Sequence, residues 1–307
     1  MGTPYATETT QTDVRYVNAS FLNMLSQGRE KQAAEEGSAF IREYVRQEAW
    51  TDEIVPPVGL IETEIDRDEN TEEPKKIVEK EPKSYASFVP FEGTPEAYWF
   101  QGYRYAIFFG KITSQKFVKS KFKLMTHVND IRKIIADNSV KDMADEKDRK
   151  FRNTVINMIN LNPTIQRTEA GQFTSSAFKN ALKALTLRRR PIGKMMMTKT
   201  LYFEAMDLPA TAVGNAIAEQ HYREGIENEE RLWGIPTVQT IKADIVDPKE
   251  VLIFSPQNFL GNHYVLQDAT LHIKQEADMV EWHTYMVLGI GIGNRLSMQQ
   301  LYFPDGN

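Results

Sequence analysis

The chain has 307 residues, no cysteine and a formal charge of −5, with 41% hydrophobic and 26% charged residues. Lack of cysteine excludes disulfides, thiolate metal sites and cysteine nucleophiles, and suits a reducing cytoplasm. The acidic balance argues against a dedicated nucleic-acid binder, and no run of about 18 apolar residues is present to cross a membrane. A chain of this length can bury a sizeable core, in one large domain or two to three subdomains.

The amino end, "MGTPYATETTQTDVR", is polar and lacks the basic-then-apolar order of a signal peptide. Met1-Gly2 opens like a myristoylation site, but Ala6 stands where that motif needs Ser or Thr. Asn18 to Ser20 can cap a helix whose apolar stripe is Val17, Phe21 and Leu25. Past Gly28, the residues Ala34, Gly37, Ile41 and Val45 continue helical spacing until Pro56 and Pro57 stop it. Residues 1–57 therefore read as an arm without a core of its own.

Residues 58–125 change character. "IETEIDRDENTEEP" is acidic, "KITSQKFVKSKFK" is basic, and between them lies the aromatic, Pro- and Gly-rich "FVPFEGTPEAYWFQGYRYAIFFG". Extended segments separated by turn residues predict a long β excursion with oppositely charged arms. Its candidate contact residues are Glu62, Glu64, Asp66, Asp68 and Glu69 on the acidic arm, and Lys116, Lys119, Lys121 and Lys123 on the basic one. Lys interleaved with Phe could grip single-stranded nucleic acid. The nearby acidic run favours pairing instead, in cis or across a subunit contact.

Residues 126–160 read as helical, with a capping box at Ser139 and Asp142 and an apolar stripe of Val140, Met143, Phe151, Val155 and Met158. Acid-to-base pairs four apart (Asp145 with Arg149, Glu146 with Lys150, Asp148 with Arg152) predict a solvent-laced helix, roughly 33 Å long from Ser139 to Asn160. A helix around "SSAFKNALKALTL" follows, its end carrying Arg188 to Arg190, which complement the helix dipole. Next come a strand through "KMMMTKTLYFEAM", whose methionines suit a core, and a helix from Ala210 to about Gly225. "GIPTVQTI" and "EVLIFSPQNFLGNHYVL" supply further strands, and "ATLHIKQ" alternates with Ala269, Leu271 and Ile273 on one face.

The stretch "MVLGIGIGNR", with Gly289, Gly291 and Gly293, superficially resembles a phosphate-cradling turn. The dinucleotide fingerprint spaces its glycines G-x-G-x-x-G between a strand and a helix, and here Asn294 takes the last position with too little chain following. The better reading is a packed strand. Trp282, Thr284, Met286, Leu288, Ile290 and Ile292 share one face, the glycines admit close approach on the other, and Gly293-Asn294 turns into a return strand "RLSMQQLYF".

Catalytic signatures are weak. The histidines are His127, His221, His263, His272 and His283, and the last three could meet around a metal only if their strands converge. There is no HExxH pairing, G-x-S-x-G elbow or Walker loop, and the acidic run lacks regular calcium-loop spacing. The expectation is no catalytic residue, cofactor or metal.

In chain order these pieces resemble the major capsid protein of tailed bacteriophages, with its Hong-Kong-97-type shell fold. The most specific segments are "LWGIPTVQT", "EVLIFSPQNFLGNHYVLQDATLHIK" and "ADMVEWHTYMVLGIGIGNRLSMQQLYF", which are similar to that family's closing strands in order and spacing. The resemblance implies an α+β fold. It divides into an amino-terminal arm (1–57), an extended β loop (58–125), a peripheral domain with a spine helix (126–190), and an axial domain whose closing strands return to the peripheral domain (191–307). It also implies a non-enzymatic building block of pentamers and hexamers, forming an icosahedral phage head around DNA held non-specifically. Portal, scaffold and decoration proteins would be partners, the virion the location and the host cytoplasm the place of assembly. The rivals are an encapsulin-type compartment shell and, from another class, a soluble metal-dependent enzyme built on the carboxy-terminal histidines.

Overall fold

A computed structural model of the chain describes residues 11–80, 86, 88–94, 102–126, 139–171, 173–206 and 231–304. Its helices are α1 (Gln11–Ser26), α2 (Glu30–Glu48), α3 (Thr51–Ile54), α4 (Lys121–Thr126), α5 (Lys141–Asn160), α6 (Pro163–Gln166), α7 (Ser175–Leu187), α8 (Lys199–Met206) and α9 (Gln257–Leu260). The strands are β1 (Pro57–Gly59), β2 (Asp66–Arg67), β3 (Pro74–Lys80), β4 (Tyr103–Phe108), β5 (Gly110–Thr113), β6 (Phe117–Ser120) and β7 (Arg167–Glu169). They continue with β8 (Lys194–Thr198), β9 (Arg231–Leu232), β10 (Ile235–Thr240), β11 (Glu250–Phe254), β12 (Gly261–Glu276), β13 (Met279–Ile292) and β14 (Met298–Tyr302). No described helix is long and apolar enough to cross a membrane.

Three sheets result. The first is a five-stranded sheet built on the antiparallel ribbon β12–β13, with β1 on one side and β5 and β6 on the other. Alternation sends Ala269, Leu271 and Ile273, with Val280, Trp282, Met286 and Leu288, to one face, where they bury against α1, α2 and the start of α5. Gly37 of α2 lets Leu271 come so close that no Cβ would fit between them.

The second sheet is six-stranded, in the order β7-β14-β11-β8-β10-β9. It is covered on both faces. Met196, Leu252 and Phe254 point toward α5, while Met195, Met197, Val251 and Ile253 point toward α7 and α8. The methionine run is core, as its pattern suggests. The third sheet, β2-β3-β4, belongs to the excursion.

Helix α5 joins the first two cores: Val140 and Met143 enter one, while Phe151, Val155 and Ile159 enter the other. Here the structure corrects two expectations. Ser139 is no cap, because the helical backbone runs through it; Val140 precedes α5 in helical geometry and the buried Ser139 hydroxyl has no hydrogen-bond partner. Nor do the three four-apart pairs form. Asp145 and Asp148 instead hold Lys242 at 2.9 and 2.7 Å, Arg152 holds Glu250 at 2.8 Å, and the Lys150 ammonium donates to the Leu288 carbonyl at 3.5 Å. Glu146 pairs with Arg149 at 3.2 Å, three residues on. A helical pair contributes only about 0.2–0.5 kcal/mol, whereas a buried charge such as Asp148 must be matched where it is buried. The helix is embedded rather than solvent-laced.

Two more readings change. The strand expected through 194–206 ends at Thr198, and α8 follows, burying Leu201, Tyr202 and Ala205 at helical spacing. Residues 295–303 do not return alongside β13. Asn294 Oδ1 accepts from the Leu296 amide at 3.2 Å and caps a short 3-10 turn. That turn redirects β14 into the second sheet, between β11 and β7. The helix expected from Ala210 to about Gly225 lies outside the described residues, as do His127 and His221.

Candidate assembly interface

The excursion is a ribbon. Strands β3 and β4 pair antiparallel from Lys75 opposite Phe108 to Lys80 opposite Tyr103, and β2 adds to the β3 edge. The acidic arm finds its partners here. Asp68 pairs with Lys75 at 2.9 Å and Glu64 with Lys76 at 3.1 Å. The hydrogen bond from Lys75 holds the Asp68 carboxyl below its usual range. Glu62 opens a short 3-10 turn, Asp66 lies in β2 opposite Lys75, and Glu69 is exposed in the following turn.

The basic arm sits elsewhere. Lys116 pairs with Glu281 of β13 at 2.5 Å, and Lys119 lies in β6 opposite Val280. The Lys121 amide donates to the Asp278 carbonyl at 2.7 Å, and exposed Lys123 follows in α4. Among the described residues no ion pair joins the acidic arm to these four lysines. Sequence reasoning overlooked Lys75, Lys76 and Glu281, although Lys75 and Lys76 lie directly beyond the acidic run.

The root of the excursion explains the glycine repeat. Tyr105, Ile107 and Phe109 project as a ridge onto the face of β13 where Gly293, Gly291 and Gly289 leave room. A Cβ at Gly289 would lie 3.0 Å from Phe109 Cδ1, one at Gly293 2.5 Å from the Tyr105 hydroxyl, and one at Gly291 would overlap Ile107 Cδ1. Ile107 and Phe109 are buried with Tyr264 in a small cluster edged by Leu60, Val78, Leu266 and Val287. The glycines are a seat for the excursion, and the chain then crosses into β5 on the main sheet.

Beyond the paired strands Phe88 and Phe91 are fully exposed, and Phe108 at the root end of β4, Val118 of β6 and Phe122 of α4 are exposed as well. Exposed Leu161, Ile165 and Leu187 mark the ends of α5, α6 and α7.

Behind the excursion a buried polar network ties the amino-terminal segment to the body. The Thr51 amide and hydroxyl donate to Asp148 Oδ1 at 3.1 and 2.7 Å. Asp52 pairs with Lys147 at 2.6 Å, and fully buried His263 brings Nδ1 to 3.4 Å from the other Asp52 oxygen. Burial pushes the Asp52 carboxyl up, but His263 and Lys147 outweigh it and hold it below its ordinary value. Farther along, Arg152 and the Gln300 amide both donate to Glu250, and Arg167 donates to Gln300. The network is structural: it pins α3 against α5, next to the parallel pairing of β1 with β12, where Pro57 lies opposite His263.

The three carboxy-terminal histidines do not converge. His263 is buried opposite Ile290, whereas His272 and His283 face each other far along the ribbon, and the described residues contain no cluster of three metal-ligating side chains.

No protein-family model and no curated protein sequence matches the chain. Solved structures do. A virus-like particle from Pyrococcus furiosus superposes with a TM-score of 0.54 at 14% identity, covering 87% of this chain and 98% of that one. A structure of Mycobacterium phage Bobi gives 0.59 at 13% identity, covering 84% and 90%. The capsid of cyanophage P-SCSP1u gives 0.55 at 12% identity, covering 78% and 85%. Long ribbon, excursion, embedded helix and two-faced sheet together are thus the α+β fold shared with these solved structures, a phage capsid among them, and the shell fold that the sequence resemblance implies.

Proposed function

We propose that the chain is a major capsid protein, the shell subunit of a tailed-phage head. Copies form pentamers and hexamers and close an icosahedral shell around double-stranded DNA. The carrying observation is the excursion: a charged ribbon seated firmly at its root yet carrying Phe88 and Phe91 fully exposed toward its tip. A large apolar side chain left in water gives up about 1.5–3 kcal/mol of burial, which a neighbouring subunit can supply. On this reading residues 1–57 act as the arm, 58–125 as the intersubunit loop, 126–190 as the peripheral and 191–307 as the axial part. The acidic residues Glu62 to Glu69 and the lysines Lys116 to Lys123, which form no ion pair with each other among the described residues, meet across subunits. Portal, scaffold and decoration proteins complete the particle, which is assembled in the host cytoplasm and resides in the virion.

Electron microscopy and light scattering of the purified chain, with and without scaffold, test this directly. Capsomers or closed shells are expected, and replacing Phe88 and Phe91 by Ser should abolish them while the subunit keeps its fold. A monomer at every salt and protein concentration, with scaffold supplied, would refute the proposal. The likeness to a virus-like particle favours a second reading, a compartment shell with protein cargo. Nucleic acid or protein inside purified particles separates the two.

A further inference from the structure

The outer face of the β12–β13 ribbon carries a pair of histidines that the shell reading does not use. His272 and His283 are direct cross-strand partners, with ring centroids 4.9 Å apart and planes inclined by 34°. We propose that these two imidazoles form a transition-metal site for borderline divalent ions such as Zn²⁺, Ni²⁺ or Cu²⁺, with water completing the coordination.

The spacing carries the argument. Metal–nitrogen bonds to imidazole are about 2.0–2.1 Å, and the ring centre lies roughly 1.2 Å behind the nitrogen. Two imidazoles at adjacent positions of a tetrahedral or square-planar ion therefore have centres about 4.5–5.2 Å apart. The observed 4.9 Å falls inside that window without any movement of the backbone. Both residues sit on the central ribbon of the five-stranded sheet, so the pair is held in register before a metal arrives.

The surroundings fix the character of the site. His272 is exposed, so the ion's remaining positions face solvent. Groups sharing this face are Lys111 over Tyr285, the Lys116–Glu281 pair and the Lys274–Glu276 pair. The lysines oppose a dication and the carboxylates offset them. No third His, Asp or Glu joins the pair among the described residues, so the site binds exchangeably and is not a structural or catalytic centre.

This inference does not depend on shell formation. Zn²⁺ titration of the full chain by calorimetry near neutral pH, and retention of the untagged chain on immobilised Ni²⁺, read it in either state of assembly. One site per chain is expected. His272→Asn or His283→Asn should each weaken Zn²⁺ binding at least about tenfold, because the second imidazole otherwise binds as an intramolecular partner. His127→Gln and His221→Gln should change nothing, and circular dichroism checks that every variant keeps its fold. Absence of Zn²⁺ binding, or equal affinity in His283→Asn, would overturn the proposal and leave the pair as a ring contact only.

Discussion

Replacing Gly291 by Ala probes the seat of the excursion at its tightest point. The new methyl would overlap Ile107 Cδ1 and lie 2.5 Å from Ile107 Cγ1, against about 3.5–4.0 Å for a relaxed carbon pair. Ile107 is only 3% exposed and wedged beside Phe109 and Tyr264, so it cannot swing clear. Overpacking of this kind costs about 1–3 kcal/mol. Ile107→Ala alone should cost about 2–5 kcal/mol through the void it leaves. In the double variant the clash vanishes, because only the Ile107 Cβ remains, 3.6 Å from the added methyl. Urea unfolding of the subunit, followed by circular dichroism, should therefore show the double variant less destabilised than the sum of the singles, by about 0.5–3 kcal/mol. Gly289→Ala should cost less, its nearest contact being 3.0 Å. Additivity of Gly291→Ala and Ile107→Ala within about 0.3–0.5 kcal/mol would show that the glycine does not seat the ridge.

Reversing Lys116, Lys119, Lys121 and Lys123 to Glu should leave the subunit folded, shown by a nearly unchanged melting temperature, while light scattering records impaired assembly. Reversing Glu62, Glu64, Asp66, Asp68 and Glu69 as well should partly restore it, and normal assembly of the lysine variant would remove the intersubunit role. Asp148→Ala strands the two Thr51 donors in the interior and leaves Lys242 with Asp145 as its remaining carboxylate. It should cost about 3–5 kcal/mol in urea unfolding, and a loss below 1 kcal/mol would mean that the network does not pin α3. Asp52, with its carboxyl below the ordinary value of 3.8, contributes stability that is present above that value and lost as pH falls through its folded one. Asp52→Asn should therefore flatten the acid limb of the stability curve while lowering stability near neutrality, and an unchanged acid limb would contradict the assignment.

Faces were legible in the sequence where one short-range rule governed them. Period-two alternation put Leu271, Ile273, Trp282, Met286 and Leu288 on the buried side of the ribbon, and the 3.6 period placed Met143, Phe151 and Val155 on the buried side of α5. The same rules miscarried where a distant group decided. Asp148 looked like half of a helical pair with Arg152, but its partner Lys242 is 94 residues away and chosen by burial. The strand "KMMMTKTLYFEAM" stopped at Thr198 because Leu201, Tyr202 and Ala205 repeat at helical rather than alternating spacing, a signal present in the letters but masked by β-forming neighbours.

The glycine repeat joins local pattern to assembly. Its even-numbered partners are core, as alternation requires, but the open face has meaning only once Tyr105, Ile107 and Phe109 arrive from a segment 180 to 188 residues earlier. A strand with ordinary side chains there would push β4 outward and splay the ribbon from the sheet. With glycines the ridge sinks in, and the crossing into β5 places Gly110 opposite Leu288 in hydrogen-bonded register. The excursion therefore leaves the body in one direction, set by packing rather than by a flexible hinge. The root from Tyr105 to Gly110 is thereby held against β13. In the proposed shell a subunit meets identical neighbours repeatedly and needs that constancy, since weak contacts add up only when their geometry permits simultaneous engagement. A packed root with the exposed Phe88 and Phe91 beyond it is what the proposed shell role requires.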